Sequence, residues 1–250
     1  MNLFLSCFYN RGRTPKKLYN YNMNNDVRGL LIQAEQARER GDFKRSLELL
    51  SDAVTATFDE RKYEKLVDIT ASEALVYRHL FASTGVRDYL VLAKHSGLAS
   101  VELARVQNDP SILGVAFYNF GKVLESMGED DEALINYRNA LDQNIDRPAM
   151  TAEMQTRLAV LEFKKGDVSA MDRFESALSE LKSSEDKDNY AKAVWESGAY
   201  MHMAEALLSK DKEKAKQLLS EAGKVIASDM RLKLRKRQLE KLRSRLDVVS

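Results

Sequence analysis

In 250 residues the chain has one cysteine, three prolines and eleven glycines. A lone thiol, Cys7, excludes an intramolecular disulfide framework and a cysteine-built zinc site, and it fits a reducing compartment, the cytoplasm. So few helix breakers leave room for long uninterrupted helices. No apolar run approaches the ~18–20 residues that a membrane span requires. The short apolar stretch at residues 3–9 has no positive charge before it, which argues against an export signal. No run of alternating β-branched residues competes with helix, so strands are not expected.

What is present is a heavily charged, helix-patterned chain, 44% hydrophobic and 31% charged. The net charge of +1 conceals an asymmetry. Residues 1–25 hold Arg11, Arg13, Lys16 and Lys17 and no acid. Residues 229–250 hold eight basic against three acidic side chains, which leaves −8 for the body at 26–228. An acidic body with basic ends lacks the basic stripe of a nucleic-acid binder. The reading is therefore a tail at 1–25, a repeat domain at 26–228, and a basic amphipathic capping helix at 229–250. A transit-like segment, or an extension ahead of a start at Met23, is the alternative for the tail.

From Asp26 onward apolar residues recur at three- and four-residue steps. The pattern predicts eleven helices: 27–40 with 43–57, 61–83 with 87–107, 111–127 with 130–143, 148–165 with 168–182, 187–209 with 212–227, and a last one at 229–246. Helix starts carry capping chemistry. Asp109 precedes Pro110, Asp146-Arg147 precedes Pro148, and Asp167 and Asp211 follow the breaks at Gly166 and Lys210. A single hairpin cannot bury its own apolar face but a stack can, so the repetition predicts a solenoid.

The clearest repeat runs Phe117, Phe120, Gly121 and Leu124, then Gly128 at a turn, then Ala133, Tyr137 and Ala140. Gly121 and Ala133 mark a close helix crossing, and the aromatic rings fill the space beside it. This pattern resembles the tetratricopeptide repeat. Weaker copies cover 30–53, 77–100, 158–177 and 199–222. Their marker residues Ser46, Ala93, Ala133, Ala170 and Ala215 stand 47, 40, 37 and 45 apart, against a family repeat of about 34. The resemblance implies a degenerate, long-helix, right-handed α-α superhelical solenoid of about five hairpins. It also implies a non-enzymatic adaptor or scaffold that holds a protein or peptide segment in its concave groove. The alternatives are a peptide-responsive regulatory sensor, and an RNA- or membrane-associated protein using the basic termini.

No catalytic or metal-ligating pattern is present. His79, His95 and His202 fall on three different helices without metal-ligand spacing. No phosphate loop or nucleophile elbow occurs. The run Glu129-Asp130-Asp131-Glu132 suits a helix start, where the dipole favours acids. No cofactor and no small-molecule substrate are expected; neither nucleic acid nor membrane is the expected partner. Some tetratricopeptide proteins clamp a ligand carboxylate with basic and asparagine side chains from three successive first helices. Asn119 and Arg157 match that set, whereas Glu153 stands where it has lysine and Arg78 and Ala82 replace its lysine–asparagine pair. The candidate groove residues are thus Arg78, Tyr118, Asn119, Lys122 and Arg157. In the last helix Leu232, Leu239, Leu242 and Leu246 form the expected buried side, with Arg235, Lys236 and Arg243 expected in solvent.

Overall fold

A computed structural model describes residues 26–143, 145–185 and 189–248. The tail expected at 1–25, with Cys7, lies outside them. Every regular element among the described residues is helical, and none is long and apolar enough to cross a membrane. Ten helices pair into five hairpins: α1 (Val27–Arg40) with α2 (Phe43–Glu60), α3 (Leu66–Thr84) with α4 (Asp88–Gln107), α5 (Pro110–Met127) with α6 (Asp130–Leu141), α7 (Pro148–Lys164) with α8 (Ala170–Ser183), and α9 (Asn189–Leu207) with α10 (Lys212–Ala227). The eleventh, α11 (Lys233–Val248), stands alone. Successive hairpins pack on one another, and the result is an all-α helical solenoid.

Local chemistry explains most of the boundaries. Asp109 accepts hydrogen bonds from the backbone N–H groups of Ser111 and Ile112, with Pro110 in the first turn. Asp211 accepts from Lys214 N at 2.9 Å, and Asp42 from Arg45 N at 3.1 Å. These caps satisfy donors that the helix itself cannot. Pro148 also opens its helix, but there the cap position is Arg147 and no side chain bonds to it, so Asp146 does not play the capping role expected of it.

Three boundaries differ from the sequence pattern. The helix expected at 61–83 is broken: Arg61 takes a left-handed conformation (φ 56°), α2 runs on to Glu60, and a 3-10 turn at Tyr63–Lys65 precedes α3. Helix α8 begins at Ala170 rather than 168, because Asp167 turns its carboxylate onto Ser169 N (3.0 Å) and Arg173 (2.6 Å). Helix α11 begins at Lys233 rather than 229. Asp229 accepts from Arg231 N at 2.9 Å and holds a tight turn ahead of the helix.

The hairpin interiors are apolar and close-packed. Tyr137, Phe174, Leu161, Leu181 and Met203 are fully buried. Gly121 stands at the expected crossing: a Cβ there would lie 2.6 Å from Tyr137 Cε1. Outer ion pairs join neighbouring hairpins, among them Lys94–Glu129 (2.6 Å), Arg138–Glu162 (3.1 Å) and Lys214–Glu175 (3.0 Å). Their half-exposed positions limit each to a small share of the stability.

Helix α11 has the most consequential placement. Its Leu239 and Leu246, with Leu232 in the turn just ahead of it, are buried in one cluster with Ala199, Met203, Leu219 and Ala222 of α9 and α10, and Leu242 is half-buried beside them. Its other side reaches the start of the array. Lys241 Nζ donates to Ala82 O at 3.2 Å, the Arg237 guanidinium lies over Gly41, and α11 contacts α1 directly. The helix thus bridges the last hairpin to the first two. Lys236 and Arg243 are exposed, but Arg235 turns inward and is half-buried. Replacing Leu232 and Leu239 by Ser should cost on the order of ~2–5 kcal/mol for each, the range for buried leucines truncated in a packed core. Charge reversal at exposed Lys236 should change urea stability by under ~0.5 kcal/mol. Equal, small effects of the two kinds of change would mean that α11 is not packed on α9 and α10.

Candidate functional site

The first helices of the hairpins turn one face toward a common interior. On α5 that face is Tyr118, Lys122 and Glu125, spaced four and three residues apart as one stripe of a helix requires. On α7 the matching stripe is Glu153 and Arg157, an i,i+4 acid–base pair. α3 contributes Arg78 and His79, α1 contributes Arg38 and Glu39, and α9 contributes His202. All meet inside the array, where the hairpin cores would otherwise be apolar.

Arg157 is the centre of this cluster and only 3% exposed. Its Nε donates to Glu153 Oε1 at 2.5 Å, and its Nη1 donates to Glu125 Oε2 at 2.8 Å. Its Nη2 lies 3.2 Å from His202 Nε2. Tyr137 donates its hydroxyl to Glu125 Oε2 at 2.8 Å, and Tyr118 donates a very short hydrogen bond to Glu153. Glu153 thus has a bond on each oxygen, whereas Glu125 accepts both of its bonds on Oε2 and has Oε1 3.9 Å from His202 Nδ1. Lys122 is buried, with its ammonium 3.9 Å from the centre of the Tyr118 ring. His79 is buried and stacked on Phe43.

The electrostatics follow from burial and proximity. Burial, the largest single influence, raises the Glu125 pKa, but Arg157, His202, Lys164 and the Tyr137 hydrogen bond together outweigh it and lower the pKa to about 2. Burial, then the Glu153 charge, pushes the Tyr118 hydroxyl well above its ordinary value. Burial and then Arg157 hold His202 well below the usual histidine range, so it is neutral at pH 7. Burial, with Arg157 and Arg235 beside it, brings Arg78 down to about 10. Burial also drives Lys122 well down, opposed by Glu153 and assisted by Arg157 and Arg78.

Glu125 supplies a pH test. Its folded pKa of about 2 lies below the 4.5 of an unperturbed glutamate. Its contribution to stability is therefore complete above about pH 4.5 and is lost as pH falls toward 2. At one pKa unit per ~1.4 kcal/mol, that contribution is about 3 kcal/mol. The stability difference between the wild type and Glu125→Gln should shrink between pH 5 and pH 2. A difference that stays constant over that interval would mean Glu125 is not ion-paired.

Four of the five candidate residues, Arg78, Tyr118, Lys122 and Arg157, come together in this cluster. Asn119 does not: it is half-buried, one position round α5 from the stripe, and its side chain makes no hydrogen bond among the described residues. The sequence reading missed Glu125, Tyr137, His202 and Arg235 as members. The Glu153–Arg157 spacing was a visible signal for that pair. Nothing in the sequence placed Arg235, nearly eighty residues further on, beside them. Among the described residues no group of three His, Cys, Asp or Glu side chains could hold a metal ion. Elsewhere, a depression of 520 Å³ opens outward between α8 and α10, lined by Phe174, Leu178, Lys182 and Leu218.

No family model matches the sequence, and no curated protein matches it. Among solved structures, the fold is similar to the crystal structure of a Rap protein complexed with competence and sporulation factor. The TM-score is 0.57 at 16% sequence identity. The match covers 90% of this chain and 65% of that one, so the chain spans under two-thirds of the neighbour's length. At that identity the likeness establishes the helical-repeat fold and nothing finer.

Proposed function

We propose that this chain is a tetratricopeptide-like adaptor that holds a protein or peptide segment against its inner face, acting in the cytoplasm without catalysis of its own. The observation that supports this most is the polar cluster of Arg78, Tyr118, Lys122, Glu125, Glu153 and Arg157 on helices whose other buried faces are apolar. A buried ion network adds little stability over well-packed apolar side chains, so stability alone does not account for one. Polar groups held in fixed geometry by packed helices suit recognition of a hydrogen-bonding ligand. The solved neighbour, a repeat protein of similar fold, carries a bound factor.

A regulatory reading has one observation in its favour. Because α11 bridges the last hairpin to the first two, a segment entering the inner face would shift α11 and so alter the array's curvature. The reading in which α11 binds RNA or lipid is less well supported, since Arg231, Lys241 and Arg245 are each engaged with Asp229, Ala82 O and Glu205.

The test is a peptide display selection on the immobilised full chain, followed by affinity measurement on the wild type and on Arg78→Met/Lys122→Met. Selected peptides should bind the double variant at least tenfold more weakly. Peptides that bind both proteins equally would place the ligand elsewhere.

A further inference from the structure

The inner face holds more positive charge than its carboxylates answer. Arg157 is answered by Glu125 and Glu153, and Arg38 by Glu39 at 3.0 Å. Arg78 and Lys122 are not. Arg78 Nε is sealed from solvent and has no hydrogen-bond partner among the described residues. Lys122 is 8% exposed, and among the described residues its ammonium has no hydrogen bond or ion pair, only the Tyr118 ring. Glu153 attracts Lys122, but its oxygens are taken by Tyr118 and Arg157. Arg235, brought in by α11, bonds through Nη1 to Gln238; Glu39, already paired with Arg38, is the first charge acting on it, and its own field reaches Arg78.

A buried charge without a counter-charge is strongly unfavourable, and a ring face offsets only part of that cost. Such a group in a folded protein calls for a partner, which can be water, an ion or a ligand. We propose that Arg78, Lys122 and Arg235 bind an oxyanion, a carboxylate or a phosphate, in a site built from α3, α5 and α11. Arg78 supplies a planar fork suited to two oxygens, and Lys122 a point charge on a flexible stem that can leave the ring face to meet a third. Because Arg235 belongs to α11, the bound anion also ties α11 to the array. The site uses the inner face of the function proposed above but does not require a peptide. An empty display selection would sink that function and leave this inference standing.

The experiment is thermal melting of the full chain in inorganic phosphate, in succinate and in chloride, all at one ionic strength. With phosphate or succinate at about a hundredfold excess over Kd, Tm should rise by roughly 5–10 °C above the chloride value. A rise with phosphate alone assigns the site to free phosphate, and a rise with succinate alone to a carboxylate-bearing ligand. Tryptic cleavage within α11 should slow in the same solutions. Lys122→Met should melt higher than the wild type in chloride, since an unpaired buried charge is gone, and should lose the anion-dependent rise. If Lys122→Met does not fold, Arg78→Gln and Arg235→Gln carry the same test from less buried positions. A wild type that responds to phosphate and succinate no more than to chloride, or variants that keep the full response, would overturn the inference.

Discussion

Replacing Arg157 by Met should lower the unfolding free energy by about 3–5 kcal/mol, the cost of leaving buried carboxylates without their cation. Glu153 and Glu125 both depend on Arg157, and both lie out of solvent at 2% and 10% side-chain exposure. The part of the loss that comes from Glu125 should be largest near pH 7 and smaller in acid, where protonation removes its stranded charge. Adding Glu153→Gln and Glu125→Gln to Arg157→Met should recover most of the stability, because a network removed whole costs far less than one broken. Urea unfolding of the single and triple variants measures this. A single variant within ~1 kcal/mol of the wild type would mean that Arg157 is not the centre of a buried network.

The second large effect is expected at Gly121. Its missing side chain is what lets α5 and α6 approach, with Tyr137 2.6 Å from the position a Cβ would take. Gly121→Leu must displace Tyr137, which is fully buried and bonded to Glu125. Overpacking of this kind costs ~1–3 kcal/mol, and the loss of the Tyr137–Glu125 hydrogen bond adds ~1.5–3 kcal/mol, because the acceptor is charged. Gly128 gives the comparison. It has φ +79° and no atom within 4 Å of a Cβ, so Gly128→Ala tests backbone strain alone. That change should cost only ~1–2 kcal/mol. A Gly121→Leu protein as stable as Gly128→Ala would show that the crossing is loose.

The parts of the fold that were legible in the sequence were those set by local chemistry. Asp109-Pro110 and Asp211 cap the helices they were expected to cap, because a carboxylate next to unbonded N–H groups needs no tertiary help. Gly121 and Tyr137 met as a pair because small and large residues at repeat spacing leave few other ways to fill the volume. The break at Arg61 was not legible, since a left-handed arginine has no sequence signal and the apolar rhythm runs straight through it.

The candidate site was legible helix by helix but not as an assembly. Arg78, Lys122 and Arg157 carry a helix-face position in their spacing, yet their mutual approach depends on how far the array curves, which no local pattern encodes. The seat of α11 is the extreme case. Its leucines predict burial, but the same pattern would serve a helix lying on the outer end. Only the packed array decides that Arg235 faces the interior while Lys236 faces water.

The claim on which the account turns is that ligand is held by the inner helices. Photocrosslinking tests it most directly, using display-selected peptides that carry an azidophenylalanine and mass-spectrometric mapping of the joined residues on the full chain. The account predicts crosslinks on α3, α5, α7 or α11, near Arg78, Lys122, Arg157 and Arg235, and none on the outer helices. Crosslinks concentrated in the depression between α8 and α10, or a selection that yields no peptide to label, would contradict it.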